Sequence, residues 1–210
     1  MDLIVAACRT LASRPRLRLL HAIYAAPAIT VRDLANAVAQ PPAATSHQLK
    51  LLGDFHFIQA VPSGRYVHCH PAVAGATAHP FLQGLQDMMH EVWAAQEPNR
   101  IPVQVCDSAP ASSWETVYDA LEKLFTTYTH LRRLLIVRQL ARQGECTAVD
   151  LMEAVGMSSD ATHRHLAKLQ RRGVVASIAT VPGKWCLVPH KGDACRQQLL
   201  GLVLRELKAE

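Results

Sequence analysis

The chain has 210 residues, half of them apolar, and carries a formal net charge of +5. That length suits two small domains or one large one, and the apolar share is enough for two modest cores. No run of 18 apolar residues exists, which excludes a transmembrane helix.

Met1 to Ala7 is too short for a signal-peptide core, and Arg9 interrupts it. The six cysteines (Cys8, Cys69, Cys106, Cys146, Cys186, Cys195) form no CxxC pair. Without a secretion signal they read as reduced thiols, so a cytoplasmic protein with no membrane partner is expected. The mild basic excess suits a polyanion without requiring one.

Leu3 to Leu11 reads as a short helix. Pro15 suits the first turn of a second helix, with Leu17, Leu20, Ile23 and Tyr24 on one face. Thr30 is an N-cap for a third helix, with Leu34 and Val38 inward and Arg32 outward. Gln40-Pro41-Pro42 makes a turn, and Ala43 to Leu52 a fourth helix. Strands are expected at Phe57–Val61 and Tyr66–His70 around the turn Pro62-Ser63-Gly64, then a longer helix over Phe81–Ala95. Residues 97–112, with Pro98, Pro102 and Pro110, read as a linker. Ser112-Ser113-Trp114-Glu115 matches a capping box, and helices follow at about 113–128, 131–142, 147–155 and 158–171. Val174–Ile178 and Lys184–Val188 flank the turn Val181-Pro182-Gly183, and Cys195–Leu207 forms the last helix.

The same order therefore occurs twice, and the residues repeat with it. Arg16–Leu52 against Arg133–Leu169, a shift of 117 positions without a gap, gives 11 identities in 37. Chance in so Ala- and Leu-rich a chain gives roughly three. The domains expected are 1–96 and 113–210, joined by 97–112. Two short helices, a tight turn between them and a following hairpin make a winged helix-turn-helix. The fold class is thus mainly α with small β-hairpin wings (α+β), two such domains in tandem.

A helix of about ten residues fits the major groove, where base edges present distinct donor and acceptor patterns. Thr45, Leu49 and Leu52 point inward in the first copy, leaving Ser46, His47 and Lys50 outside. Thr162, Leu166 and Leu169 point inward in the second. Arg164 and Lys168 fall on its open side, Arg171 and Arg172 follow, and His163 and His165 flank the buried face. Arg65 and Lys184 follow the wing glycines, within reach of phosphate. The expected DNA-binding set is Ser46, His47, Lys50, Arg65, His163, Arg164, Lys168, Arg171, Arg172 and Lys184. The second copy is the more cationic reader.

Thr-Ser-His-Gln-Leu-Lys-Leu-Leu (45–52) resembles the recognition helix of the ArsR/SmtB family of winged-helix repressors. Ala-Thr-His-Arg-His-Leu-Ala-Lys-Leu-Gln-Arg-Arg-Gly-Val-Val (161–175) is similar to the same segment, and Leu-Ala-Ser-Arg-Pro-Arg-Leu-Arg-Leu-Leu (11–20) to the family's second helix. The resemblance implies sequence-specific binding of double-stranded DNA, repression, and two reading units on two half-sites. Here those units are expected to form an internal pseudo-dimer, with a homodimer of chains as a further expected state. Half-sites then lie roughly 34 Å apart. The operator is asymmetric, because Ser46 and His47 correspond to His163 and Arg164.

Other readings compete. Winged helices also serve as protein-interaction adaptors without DNA readout. The family's cysteine metal site is absent at Thr30-Val31-Arg32. His79 and His90 have the spacing of a second family site, but Thr77 and Trp93 stand where further ligands belong, so no metal and no cofactor is expected. His68 and His70 share one strand face and Cys69 takes the other. A thiol switch through Cys8 and Cys69 rests on residue type alone. No phosphate loop, nucleophile elbow or paired carboxylates occur, so no enzyme is expected.

Overall fold

The computed structural model describes residues 1–73, 75–95, 97–101, 113–188 and 194–209. The described residues are mainly helical, with two small antiparallel sheets among them, a winged-helix α+β fold. Among the described residues no helix is long and apolar enough to cross a membrane. The chain divides into two compact units, Thr10–Glu122 and Met1–Arg9 with Lys123–Glu210.

The first unit contains α2 (Arg14–Ala25), β1 (Ile29–Thr30), α3 (Val31–Ala37), α4 (Pro42–Asp54), β2 (Ile58–Ser63), β3 (Tyr66–Pro71), α5 (Pro80–Ala94) and α6 (Trp114–Thr126) as far as Glu122. Leu17, Leu20, Ile23, Leu34, Leu52 and Leu85 are fully buried, which is the helical spacing read from the sequence. Thr30 caps α3, its hydroxyl accepting from the Asp33 amide at 3.2 Å. The sheet order is β1-β3-β2. Pro62 and Ser63 lie inside β2, not in the turn as expected; the turn is Gly64-Arg65, with Gly64 at φ 59°. β2 is an edge strand, so the missing amide of Pro62 costs no central ladder bond.

The second unit contains α1 (Asp2–Leu11) to Arg9, the end of α6, α7 (Leu131–Gln143), β4 (Glu145–Thr147), α8 (Ala148–Val155), α9 (Ser159–Arg171), β5 (Val175–Ser177), β6 (Lys184–Leu187) and α10 (Ala194–Ala209). Its buried residues include Ile4, Cys8, Phe125, Tyr128, Leu134, Val137, Leu151, Leu166, Leu169, Leu199 and Val203. The sheet order is β4-β6-β5. A capping box opens α8: the Thr147 amide donates to Asp150 Oδ2 at 2.7 Å, and the Asp150 amide to Thr147 Oγ1 at 3.1 Å.

This partition differs from a sequential cut at 97–112. Trp114 and Tyr118 of α6 join Trp93 and His21, and Glu115 takes Arg18 in a two-pronged pair at 2.8 and 2.9 Å. Arg14 pairs with Asp119 and Glu122. Arg9 of α1 donates to the Thr129 carbonyl at 3.2 Å, and Cys8 lies close enough to bear on Tyr128. Of the expected linker, 102–112 lie outside the described residues, as do Ser112 and Cys106. The capping box expected at Ser112–Glu115 depends on Ser112, outside the described residues; Glu115 pairs with Arg18, and Ser113 accepts from the Thr116 amide at 3.3 Å.

The backbone marks corresponding places in the two units. It enters the left-handed region at Ala39 (φ 52°) and His56 (φ 56°), and 117 positions further on at Gly156 (φ 63°) and Gly173 (φ 67°). Glycine takes this conformation at little cost and other residues do not.

Candidate nucleic-acid interface

On α4, Thr45 and Leu52 are fully buried and Leu49 nearly so, while Ser46, His47 and Lys50 are exposed. On α9, Thr162, Leu166 and Leu169 are fully buried. At 100° per residue, Arg164 and Arg171 then fall opposite the buried line, and both are exposed. His163 is exposed too, but its Nδ1 turns back to the Ser159 carbonyl at 2.9 Å. Lys168 and Arg172 are half-buried on the flank that runs beside α7.

That flank belongs to a dense basic cluster. His130, the N-cap of α7, accepts from the Arg132 amide at 3.2 Å, and its ring lies 4.6 Å from that of His165 on α9. The Arg133 guanidinium is buried, donating to the carbonyls of Thr127 and Thr126 at 2.7 Å each and to Thr129 Oγ1 at 3.2 Å. Arg172 bears on Lys168 before burial does, and together with Arg171 and Arg133 holds its ammonium below the usual lysine range. The sequence reading missed His130, Arg132 and Arg133 as neighbours of the reading helix. Nothing in local periodicity brings the start of α7 to the side of α9.

The wing cations separate. Arg65 sits in the two-residue turn, exposed, its guanidinium 5.1 Å from the centre of the Tyr66 ring. Lys184 is not at a tip. Ile29 opposes Cys69 where Cys146 opposes Trp185, so the last strand is one residue out of step with the 117 shift. Lys184 therefore opposes Thr147 as His68 opposes Thr30. Its ammonium reaches Glu145 Oε2 at 3.5 Å, an ion pair that occupies the charge expected to face phosphate.

The remaining candidates do not converge. His79 precedes α5, its amide donating to Thr77 Oγ1 at 3.2 Å. His90 lies eleven residues further along, about 16 Å of helix, with its ring 5.7 Å from Tyr24. Within one chain the two do not share an ion. Among the described residues no group of three or more potential ligands gathers. Cys8, Cys69 and Cys146 are buried free thiols. Burial holds Cys8, Cys69 and Cys146 above the ordinary thiol range, away from the reactive thiolate. Cys8 and Cys69 belong to different units. His68 Nδ1 lies 2.8 Å from the Ala28 carbonyl, a structural contact.

The α7–β5 segment is a winged helix-turn-helix with a buried apolar ladder and a cationic outer face. Residues 130–177 match the family described as bacterial regulatory protein, arsR family. The match supports an ArsR-like helix-turn-helix regulator that binds DNA. No curated protein and no solved structure gave a significant match.

Proposed function

We propose that the protein is a sequence-specific transcriptional repressor that reads duplex DNA mainly through α9. The observation that carries this reading is the division of α9, with Thr162, Leu166 and Leu169 sealed inside and Arg164 and Arg171 on the open face of the family-matched segment. Such a helix suits a major groove, with Arg172 and Lys168 toward the backbone. The segment α3–α4 acts as a second, weaker reader, supported by the identities at a shift of 117 and by the corresponding left-handed residues. The two read the two halves of an asymmetric operator, with Ser46, His47, Lys50 and Arg65 on one side and His163, Arg164 and Arg171 on the other.

The test is an electrophoretic shift with genomic fragments at two salt concentrations. A reader of this kind gives a retarded band that weakens as salt rises. Absence of any retarded fragment at low salt overturns the reading.

One observation favours a protein-binding role for the first unit. Beside α4 lies a cavity of about 400 Å³, lined by Val31, Leu49, Ala60, Val67 and Cys69, with Ser46 and Lys50 at its edge. Val61 of β2 and Tyr66 and Val67 of β3 are exposed apolar residues of the same wing. A chain whose shift depends on α9 but not on Lys50 or Arg65 fits an adaptor at that unit.

A further inference from the structure

We infer that the cavity beside α4 is a binding site for a free aromatic molecule built on an indole-sized ring, and that its occupant acts on α4. The site stands apart from the DNA-binding reading; its effect on DNA rests on that reading.

One stripe of α4 forms a wall of the cavity. Ser46, Leu49, Lys50, Gly53 and Asp54 recur at helical spacing and all line a space of about 400 Å³. Ala60 of β2 and Cys69 of β3 line it from the sheet. A cavity of about 150 Å³ already holds benzene, so this one has room for a larger ring system with substituents. Its size and mainly apolar lining are those of sites that enclose a whole small molecule. Lys50 and Asp54 are exposed at its edge, one helical turn apart, and neither joins an ion pair among the described residues. They offer a donor and an acceptor without net charge, which suits a neutral ring bearing polar groups.

The second unit carries the matching shape in its own chain. Cys69 opposes Ile29 and Ala60 in the first sheet, and Trp185 opposes Cys146 and Ser177 in the second. Ile29 and Ala60 correspond to Cys146 and Ser177 at the shift of 117, so Trp185 holds the place of Cys69. Directly opposed residues share a face of the sheet, so Cys69 and Trp185 stand on corresponding faces. On the helix, Gln170 holds the place of Gly53. The first unit thus has a thiol and a hydrogen where the second has an indole and an amide. A Cβ added at Gly53 meets no atom within 4 Å, so the helix borders open space there. Ser46 and Lys50 belong both to this wall and to the proposed DNA face of α4. An occupant therefore engages side chains that α4 would turn to DNA.

The experiment titrates the isotope-labelled full chain with indole and follows backbone amides by NMR. Indole is expected to shift the amides of Gly53, Ala60 and Cys69 saturably. Gly53→Gln, which adds the second unit's side chain in open space, is expected to weaken indole binding at least about tenfold. Unmoved amides in the native chain, or a Gly53→Gln chain that binds indole equally well, overturn the site. Cyclohexanol, an apolar ring without aromaticity, is expected to bind about tenfold more weakly than indole. Equal binding of the two overturns the aromatic class. N-acetyltryptophanamide carries the indole on a peptide stub. If it binds more than about tenfold tighter than indole, the occupant is a tryptophan of a partner protein and the free-molecule claim falls. With duplex present, saturating indole is expected to weaken the retarded band of the native chain and not that of Gly53→Gln. A band unchanged while the cavity is occupied overturns the effect on α4. Absence of any retarded band at low salt removes the DNA-binding reading and that effect with it, while the amide shifts still decide the site.

Discussion

Thr45, Leu49 and Leu52 of α4 form the same buried ladder as Thr162, Leu166 and Leu169 of α9, yet the outer faces of the two helices have little in common. α9 presents Arg164 and Arg171 and is flanked by a basic cluster. α4 presents Ser46, His47 and Lys50 and is flanked by an apolar cavity. Burial is constrained by packing and barely tolerates change, whereas an outer face is constrained only by what it meets. The two segments therefore keep a common interior while their surfaces suit different ligands.

The largest effect that sharpens this comparison is on the shared interior. Leu166→Ala and Leu52→Ala should each cost about 2–5 kcal/mol of stability, measured by urea unfolding. A cost below about 1 kcal/mol at either site would show that its ladder is not a packed core.

Next in size is DNA affinity. Arg164→Ala/Lys168→Ala should weaken duplex binding by about tenfold to a hundredfold and lower the salt slope by about two. Lys50→Ala should change the slope by about one at most. Equal effects from the two helices would erase the asymmetry.

Backbone conformation gives a smaller difference of opposite sign. Gly156→Ala should cost about 1 kcal/mol, since an added Cβ meets no atom within 4 Å and only the left-handed φ opposes it. Ala39→Gly should gain a fraction of that. Thermal unfolding of both variants checks the pair.

The smallest effect is on pH. His21 of the first unit, stacked near Trp93 and Trp114, and His130 and His165 of the second are all held below the ordinary imidazole value of 6.5, first by burial. The folded state favours the neutral ring, so this stability is present above pH 6.5 and falls as pH drops toward the folded values. The second unit, with two such groups, should loosen first. Trp185 fluorescence should respond before that of Trp93 and Trp114 on acidification, and a reversed order would contradict the assignment.

Much of this was legible in the chain. Periodicity placed the long helices within a few residues, and Thr30 announced the start of α3 because a cap is a local bond. β1 and β4, of two and three residues, are too short to show alternation and exist only through pairing with β3 and β6. The spacing after the wing glycines equated Arg65 with Lys184, whereas the strand register equates Lys184 with His68, three positions beyond Arg65. His130 and His165 are 35 positions apart in sequence, and no local rule brings their rings together.

By itself the sequence determined the helix-turn-helix elements, their inward ladders and the greater charge of α9. Those properties depend on residues three or four apart, where one helical turn supplies the geometry. Tertiary structure alone decided which unit holds α1 and α6, whether Lys184 is committed to Glu145, and that basic groups of α7 gather beside α9. Each of those depends on groups distant in sequence, whose meeting is set by packing of whole elements and not by local spacing.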